Sequence, residues 1–187
     1  MTRKGYKHTE LGEIPEDWEV KTLGEILKVM HGQSQFEIES NNGKYPILAT
    51  GGCIGRTNSF LYNKPSVLIG RKGTIDKPQY IETPFWTIDT LFYTDIWGAY
   101  PKYIYYKFNT IKWLKYNEAS GVPSLNANAM EHIAIILPPL PEQRAIASVL
   151  SDMDAEIEAL EAKRNKYTRI KLGMMQDLLT GRVRLKF

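Results

Sequence analysis

The chain has 187 residues, 43% of them apolar and 24% charged, with a net charge of only +3. That supplies one cored domain plus an appendage, or two small domains, and excludes a disordered chain. The lone Cys53 excludes an intrachain disulfide and fits a reducing compartment; no apolar run is long enough to span a bilayer.

In chain order, Met1 to Lys7 is basic but leads into no apolar signal core, so no secretory signal is read and a cytoplasmic location is expected. Thr9 to Trp18 is turn-rich, with Trp18 as an anchor. Trp18 to Leu23 then alternates apolar and polar, the period of a half-buried strand. Further short strands are predicted at Tyr45–Ala49, Ser66–Ile69 and Phe85–Tyr93. Glycines at 51, 52, 55, 70 and 73 and prolines at 65, 78 and 84 separate them.

From Pro101 the apolar spacing changes to three and four, which predicts a helix over roughly 101–117. A loop at 120–124 follows. Asn126 or Asn128 is placed to cap a short turn at Ala129–Glu131, and Ile133 to Leu137 reads as a buried strand. Pro138-Pro139-Leu140-Pro141 marks a boundary, because three prolines in four residues suit neither a sheet interior nor a helix interior. A first unit over 1–138 and a helical unit over 139–187 are therefore expected. The expected class is α+β: a compact, irregular β-rich domain with a few helices, followed by one long coiled-coil-forming helix.

That helix is predicted from Glu142 to Thr180, closed by Gly181, and would be roughly 55–60 Å long. Its apolar side chains fall in two rows. One holds Ile146, Met153, Leu160, Tyr167 and Met174. The other holds Leu150, Ile157 and Leu178, interrupted by Arg164 and Lys171. Spacings alternate between four and three, the pattern of a coiled-coil seam. Charge is segregated: Asp152, Asp154, Glu156, Glu158 and Glu161 precede Lys163, Arg164, Lys166, Arg169 and Lys171. Two such helices repel when parallel and attract when antiparallel about a centre near residue 162. The bland alternative is a helix packed on its own domain with its charges solvated.

Charge is also uneven over the whole chain. Residues 1–40 carry five basic and eight acidic side chains; residues 41–116 carry ten basic and four acidic. A basic middle segment suits contact with phosphates, and if that partner is DNA, as the resemblance below implies, polar loops within and flanking the segment would reach base edges. The candidate DNA-contacting residues are Gln33 and Ser34, Arg56 and Asn58, Arg71, Lys72 and Thr74, and then Ser120, Asn126 and Asn128. Singly, each is an ordinary turn residue. Tyr103, Tyr105, Tyr106, Trp113 and Tyr116 are read as packing residues rather than a stacking platform. His8, His31 and His132 lie far apart in sequence, and no metal site is expected.

Catalytic signatures are missing from the sequence. There is no Walker A pattern, no dinucleotide-binding glycine motif after a strand, and no Asp/Asn-Pro-Pro-aromatic motif of amino-methyltransferases. Glu161-Ala162-Lys163 matches only the end of a nuclease motif and lies on the helix.

Five stretches carry a family resemblance. Thr9-Glu10-Leu11-Gly12-Glu13-Ile14-Pro15-Glu16-Asp17-Trp18-Glu19-Val20 resembles the opening of a recognition domain in type I restriction–modification specificity subunits. Leu137-Pro138-Pro139-Leu140-Pro141-Glu142-Gln143-Arg144-Ala145-Ile146-Ala147 resembles the entry into that family's spacer helix, and Leu178-Leu179-Thr180-Gly181-Arg182-Val183-Arg184 its end. Ile69–Ile75 and Phe85–Thr90 are similar to its internal β-segments. The resemblance implies a non-catalytic, DNA-reading subunit that works with methyltransferase subunits and, for restriction, with translocase–nuclease subunits. S-adenosylmethionine, ATP and magnesium would belong to those partners. The family's usual chain carries two recognition domains and two helices; this one has one of each. A homodimer, paired through antiparallel helices and reading an inverted-repeat site on double-stranded DNA, is one reading. A fragment needing a different half, or a decoy that binds only protein, are the others.

Overall fold

The alternating stretch before residue 23 can bury one face only if another strand covers its edge, and the chain supplies that strand from more than a hundred residues away. In the computed structural model, which describes residues 3–186, Glu19–Thr22 pairs antiparallel with Ala134–Leu137, Val20 opposite Ile136. Numbered in chain order, the strands are β1 (Tyr6–Thr9), β2 (Gly12–Pro15), β3 (Glu19–Thr22), β4 (Leu27–Met30), β5 (Tyr45–Ala49), β6 (Gly52–Thr57), β7 (Ser66–Gly70), β8 (Gln79–Ile81), β9 (Trp86–Thr87), β10 (Leu91–Ile96) and β11 (Ala134–Leu137). The helices are α1 (Leu23–Ile26), α2 (Pro101–Thr110), α3 (Ala127–Glu131) and α4 (Leu140–Leu179).

The strands form several small sheets rather than one. The largest has the order β4-β10-β7-β8, with every pair antiparallel. A second has the order β6-β5-β9, in which β5 and β9 run parallel. The fold is α+β with a long final helix, as the sequence indicates.

All of β7 is buried, and Val67 and Ile69 pack in the same core as Ile104 and Phe108 of α2, Leu23, Ile26 and Trp113. A second, smaller cluster gathers Leu48, Leu68, Phe85, Leu91 and Tyr93. The buried polar pair Ser66 and Thr94 is fully bonded: the Ser66 hydroxyl reaches the Thr94 carbonyl at 2.8 Å, and the Thr94 hydroxyl reaches the Val67 carbonyl at 3.0 Å.

Several expectations are corrected. Thr9–Trp18 is not turn alone: β1 and β2 make a hairpin there, with Gly12 at φ 108 and Ile14 buried. The single strand over 85–93 is two, broken at Ile88–Thr90 where the backbone crosses from β5 to β7 partners. The helix over 101–117 stops at Thr110. Ile111 is extended, and a 3-10 turn at Trp113–Tyr116 folds the indole back so that Trp113 Nε1 donates to the Phe108 carbonyl at 2.8 Å. Tyr103 and Trp113 are core residues as expected, and burial pushes the Tyr103 hydroxyl up to about 12; Tyr116 is exposed.

The proline run ends β11, but only Pro138 and Pro139 precede the last helix. α4 starts at Leu140 and takes Pro141 into its first turn, where a missing N–H costs no helical bond. The chain divides into two compact units, one running to Ala147 and one from Ser148. The first two turns of α4 therefore belong to the first unit. Gln143 and Ala147 are buried there, and Ile146, expected in the coiled-coil seam, packs against the core. In the second unit, Met153, Ile157, Leu160, Tyr167 and Met174 are each more than half exposed. Gly181, at φ 74, closes the helix as the sequence predicts.

Candidate nucleic-acid interface

Two glycines shape the turn after β7. A Cβ on Gly70 would sit 2.1 Å from the Thr74 carbonyl oxygen, and Gly73 has φ 91. The resulting turn presents Arg71 and Lys72. Their backbone is fixed from both sides. The N–H groups of both donate to the Thr90 carbonyl, at 2.8 and 3.2 Å. On the other side, Lys72 forms a bridge with Ser124, Leu125 N–H donates to the Arg71 carbonyl, and Gly73 N–H donates to the Pro123 carbonyl.

This lacing joins two loops some fifty residues apart in sequence. Arg71, Lys72, Asn126 and Asn128 come to line one cleft of about 360 Å³, together with His31 and Glu118. Lys72, Asn126 and Asn128 are exposed there. Asn126 also caps α3, since its Oδ1 accepts from the N–H groups of Asn128 and Ala129. The Arg71 guanidinium donates to the Asp89 carbonyl through Nη1 at 3.3 Å, which aims it without neutralising it.

Gln33 and Ser34 sit on a second surface. A Cβ on Gly32 would lie 1.9 Å from the Ile88 carbonyl oxygen, so only glycine lets this strand end press so closely on the 87–88 backbone. Gln33 N–H donates to the Thr87 carbonyl, and the Trp86 indole donates to the Gln33 carbonyl at 3.0 Å. Gln33 and Ser34 line a depression with Trp86 and Phe36, whose ring is 85% exposed.

The other sequence candidates lie elsewhere. Arg56 donates to the carbonyls of Gly43 and Lys44, at 2.6 and 2.8 Å, and the Asn58 side chain accepts from Lys44 N–H, so both hold the 43–44 loop. Thr74 lines a separate depression with Gly51, Gly52 and Lys77. Ser120 is exposed on the 117–124 loop and is not among the residues lining the cleft. Sequence reading misses Glu118, His31, Phe36 and Trp86 as members of these surfaces. For Glu118, His31 and Phe36 the one signal is adjacency, since each lies within a few residues of a polar loop that the sequence singles out; Trp86 carries none.

The arrangement offers fixed donors and amide groups beside two cations on a scaffold of strands and short turns. That is the chemistry for reading base edges while holding phosphates. The family model for the type I restriction modification DNA specificity domain matches residues 15–168, most of the chain. The chain belongs to that family. Among relatives, the MjaVIII specificity subunit of Methanocaldococcus jannaschii is 28% identical over 89% of this chain and 43% of its own length. The EcoDI specificity subunit of Escherichia coli is 23% identical over 90% of this chain and 38% of its own. The fold is that of the type I restriction-modification S subunit from M. genitalium, at TM-score 0.65 and 18% identity over 86% of this chain and 45% of that one. This specificity-family chain thus spans less than half the length of these relatives. The matched specificity domain includes the cleft, the Gln33–Ser34 surface and α4 as far as residue 168.

Proposed function

We propose that this chain is the non-catalytic DNA-reading subunit of a type I restriction–modification complex, located with its DNA in the cytoplasm. The cleft is the reading surface. The observation that carries this is the convergence of Arg71, Lys72, Asn126 and Asn128, from two distant loops, on one rigid wall. Gln33 and Ser34 add a second polar surface to it. Methylation of adenine N6 and cleavage belong to methyltransferase and translocase–nuclease subunits, which carry S-adenosylmethionine, ATP and magnesium.

The second unit supplies assembly. Its exposed apolar row is too long for solvent alone to be its steady neighbour. Antiparallel pairing with a second copy about residue 162 sets Leu150 opposite Met174 and Ile157 opposite Tyr167. The same register sets the two flaws, Arg164 and Lys171, opposite Leu160 and Met153. Acidic residues 152–161 then face basic residues 163–171 of the other copy. A homodimer of this kind reads two identical, inverted half-sites.

The test is to express the chain with a cognate methyltransferase subunit and map N6-methyladenine across the host genome. A symmetric, gapped motif is expected. Leu150→Glu with Ile157→Glu abolishes it and yields a monomer by sedimentation, with the first unit still folded. A double mutant that is monomeric yet still directs the same methylation overturns the dimer. The short span relative to its relatives favours one second reading, a half that pairs with a different half. In that case the map shows an asymmetric motif when the missing chain is added, and none without it.

A further inference from the structure

One residue in the cleft has the wrong charge for a surface that only grips phosphate. Glu118 is the one carboxylate among the residues lining the cleft, which it shares with Arg71 and Lys72. Glu118 takes no part in the ion pairs Lys21–Glu19, Lys28–Glu131 and Lys64–Asp95 and is paired with neither cation of the cleft. The residue is exposed and borders a space that a polyanion would enter.

The loop that carries it is held firmly. Asn117 is its hub: its Oδ1 accepts from Ala119 N–H at 3.1 Å and from Ser124 N–H at 2.9 Å, and its Nδ2 donates to the Ala119 carbonyl at 2.8 Å. Glu118 N–H donates to the Ser124 carbonyl at 3.1 Å. Ser124 is in turn bridged to Lys72. The origin of the Glu118 side chain is thus fixed relative to the cations that would hold the backbone of a nucleic acid.

We infer that Glu118 is the selective acceptor of the cleft, admitting DNA closely only where the exocyclic amino group of cytosine or adenine faces it in the major groove. This rests on the proposal that the cleft reads DNA. An ionised carboxylate only accepts hydrogen bonds. Guanine O6 and N7 and thymine O4 are also acceptors, and phosphate is an anion, so all of them repel it. Cytosine N4 and adenine N6 donate to it. Glu118 therefore weakens binding to every wrong sequence and leaves the right one bound, which is discrimination by repulsion as much as by attraction.

The experiment compares the chain with Glu118→Gln and Glu118→Ala, each with its methyltransferase partner, by mapping N6-methyladenine and by fluorescence anisotropy on duplexes. Both substitutions are at an exposed side chain and leave the melting temperature unchanged. The wild-type motif is expected to require cytosine or adenine at one position per half-site that either substitution relaxes, and the base requirement that disappears there says which amino group is read. Affinity for a random-sequence duplex is expected to rise severalfold. The ratio of cognate to random affinity is expected to fall about tenfold, the scale of one base-specific hydrogen-bonding pair. A motif unchanged in position and stringency in both variants, with random-duplex affinity also unchanged, overturns the inference alone. A wild-type complex that methylates no defined motif and shows no preference among duplexes overturns the DNA-reading proposal and this inference with it.

Discussion

Gln143 ties the start of α4 to the rest of the first unit. It is buried, its Oε1 accepts Tyr100 N–H at 2.8 Å, and its Nε2 donates to the Pro138 carbonyl at 2.8 Å. Its neighbour Glu142 accepts the Trp18 indole N–H at 2.9 Å. The Pro-Glu-Gln junction and the tryptophan some 120 residues earlier, both distinctive in the sequence, are therefore parts of one contact. Gln143→Leu keeps most of the volume but leaves two backbone groups unpaired. It is expected to cost about 2–4 kcal/mol, read as a lowered urea midpoint with an unchanged slope. None of this pairing is visible in the sequence. A Gln after a Glu is an ordinary helix start until the fold brings residues 100 and 138 beside it.

Among the elements, legibility follows how local the determining forces are. β5 and β11 are readable nearly to the residue, because each is a short apolar run bounded by turn signals. The end of α4 is legible from Gly181, a property of one residue. Its start lies two residues earlier than the proline run suggests, since proline is excluded from a helix interior but welcome in its first turn. β4, β6 and β8 escape sequence reading; they are short or glycine-bearing and are strands because β10, β5 and β7 lie alongside. Within α4, Gly173 is the weak point, and an added Cβ there meets nothing within 4 Å. Gly173→Ala is expected to stabilise the helix by about 0.5–1 kcal/mol. Circular dichroism should show a higher melting temperature, and sedimentation the same oligomeric state, since the residue lies outside both apolar rows.

For the whole molecule the relevant quantity is the distribution of charge rather than its sum. With a net charge of +3, a generic electrostatic attraction for DNA would be small, and under the proposed function binding would depend on a few placed cations. Arg71 and Lys72 are the two on the cleft. Replacing both with alanine is expected to lower the slope of log affinity against log salt on a random duplex by about 2, roughly one for each phosphate no longer neutralised. Arg56→Ala, which breaks bonds to the 43–44 loop instead, is expected to leave that slope unchanged and to lower stability. Anisotropy titrations between low and moderate salt separate the two.

The family, the α+β class, the long helix and the segregation of charge along it are all legible in the chain before it folds. Each is written in short-range spacing or in contiguous motifs, and helix periodicity needs no knowledge of distant residues. The same local reading finds exposed polar and basic residues on loops. Which of those residues meet is a matter of tertiary structure alone. Arg71 and Asn126 share a wall because backbone bonds at 71–73 and 123–125 lace two loops together, while Arg56, equally basic and equally close to a glycine, is engaged in holding a loop. Long-range backbone pairing carries no local signature, so the composition of the cleft, with Glu118 beside its two cations, belongs to the fold.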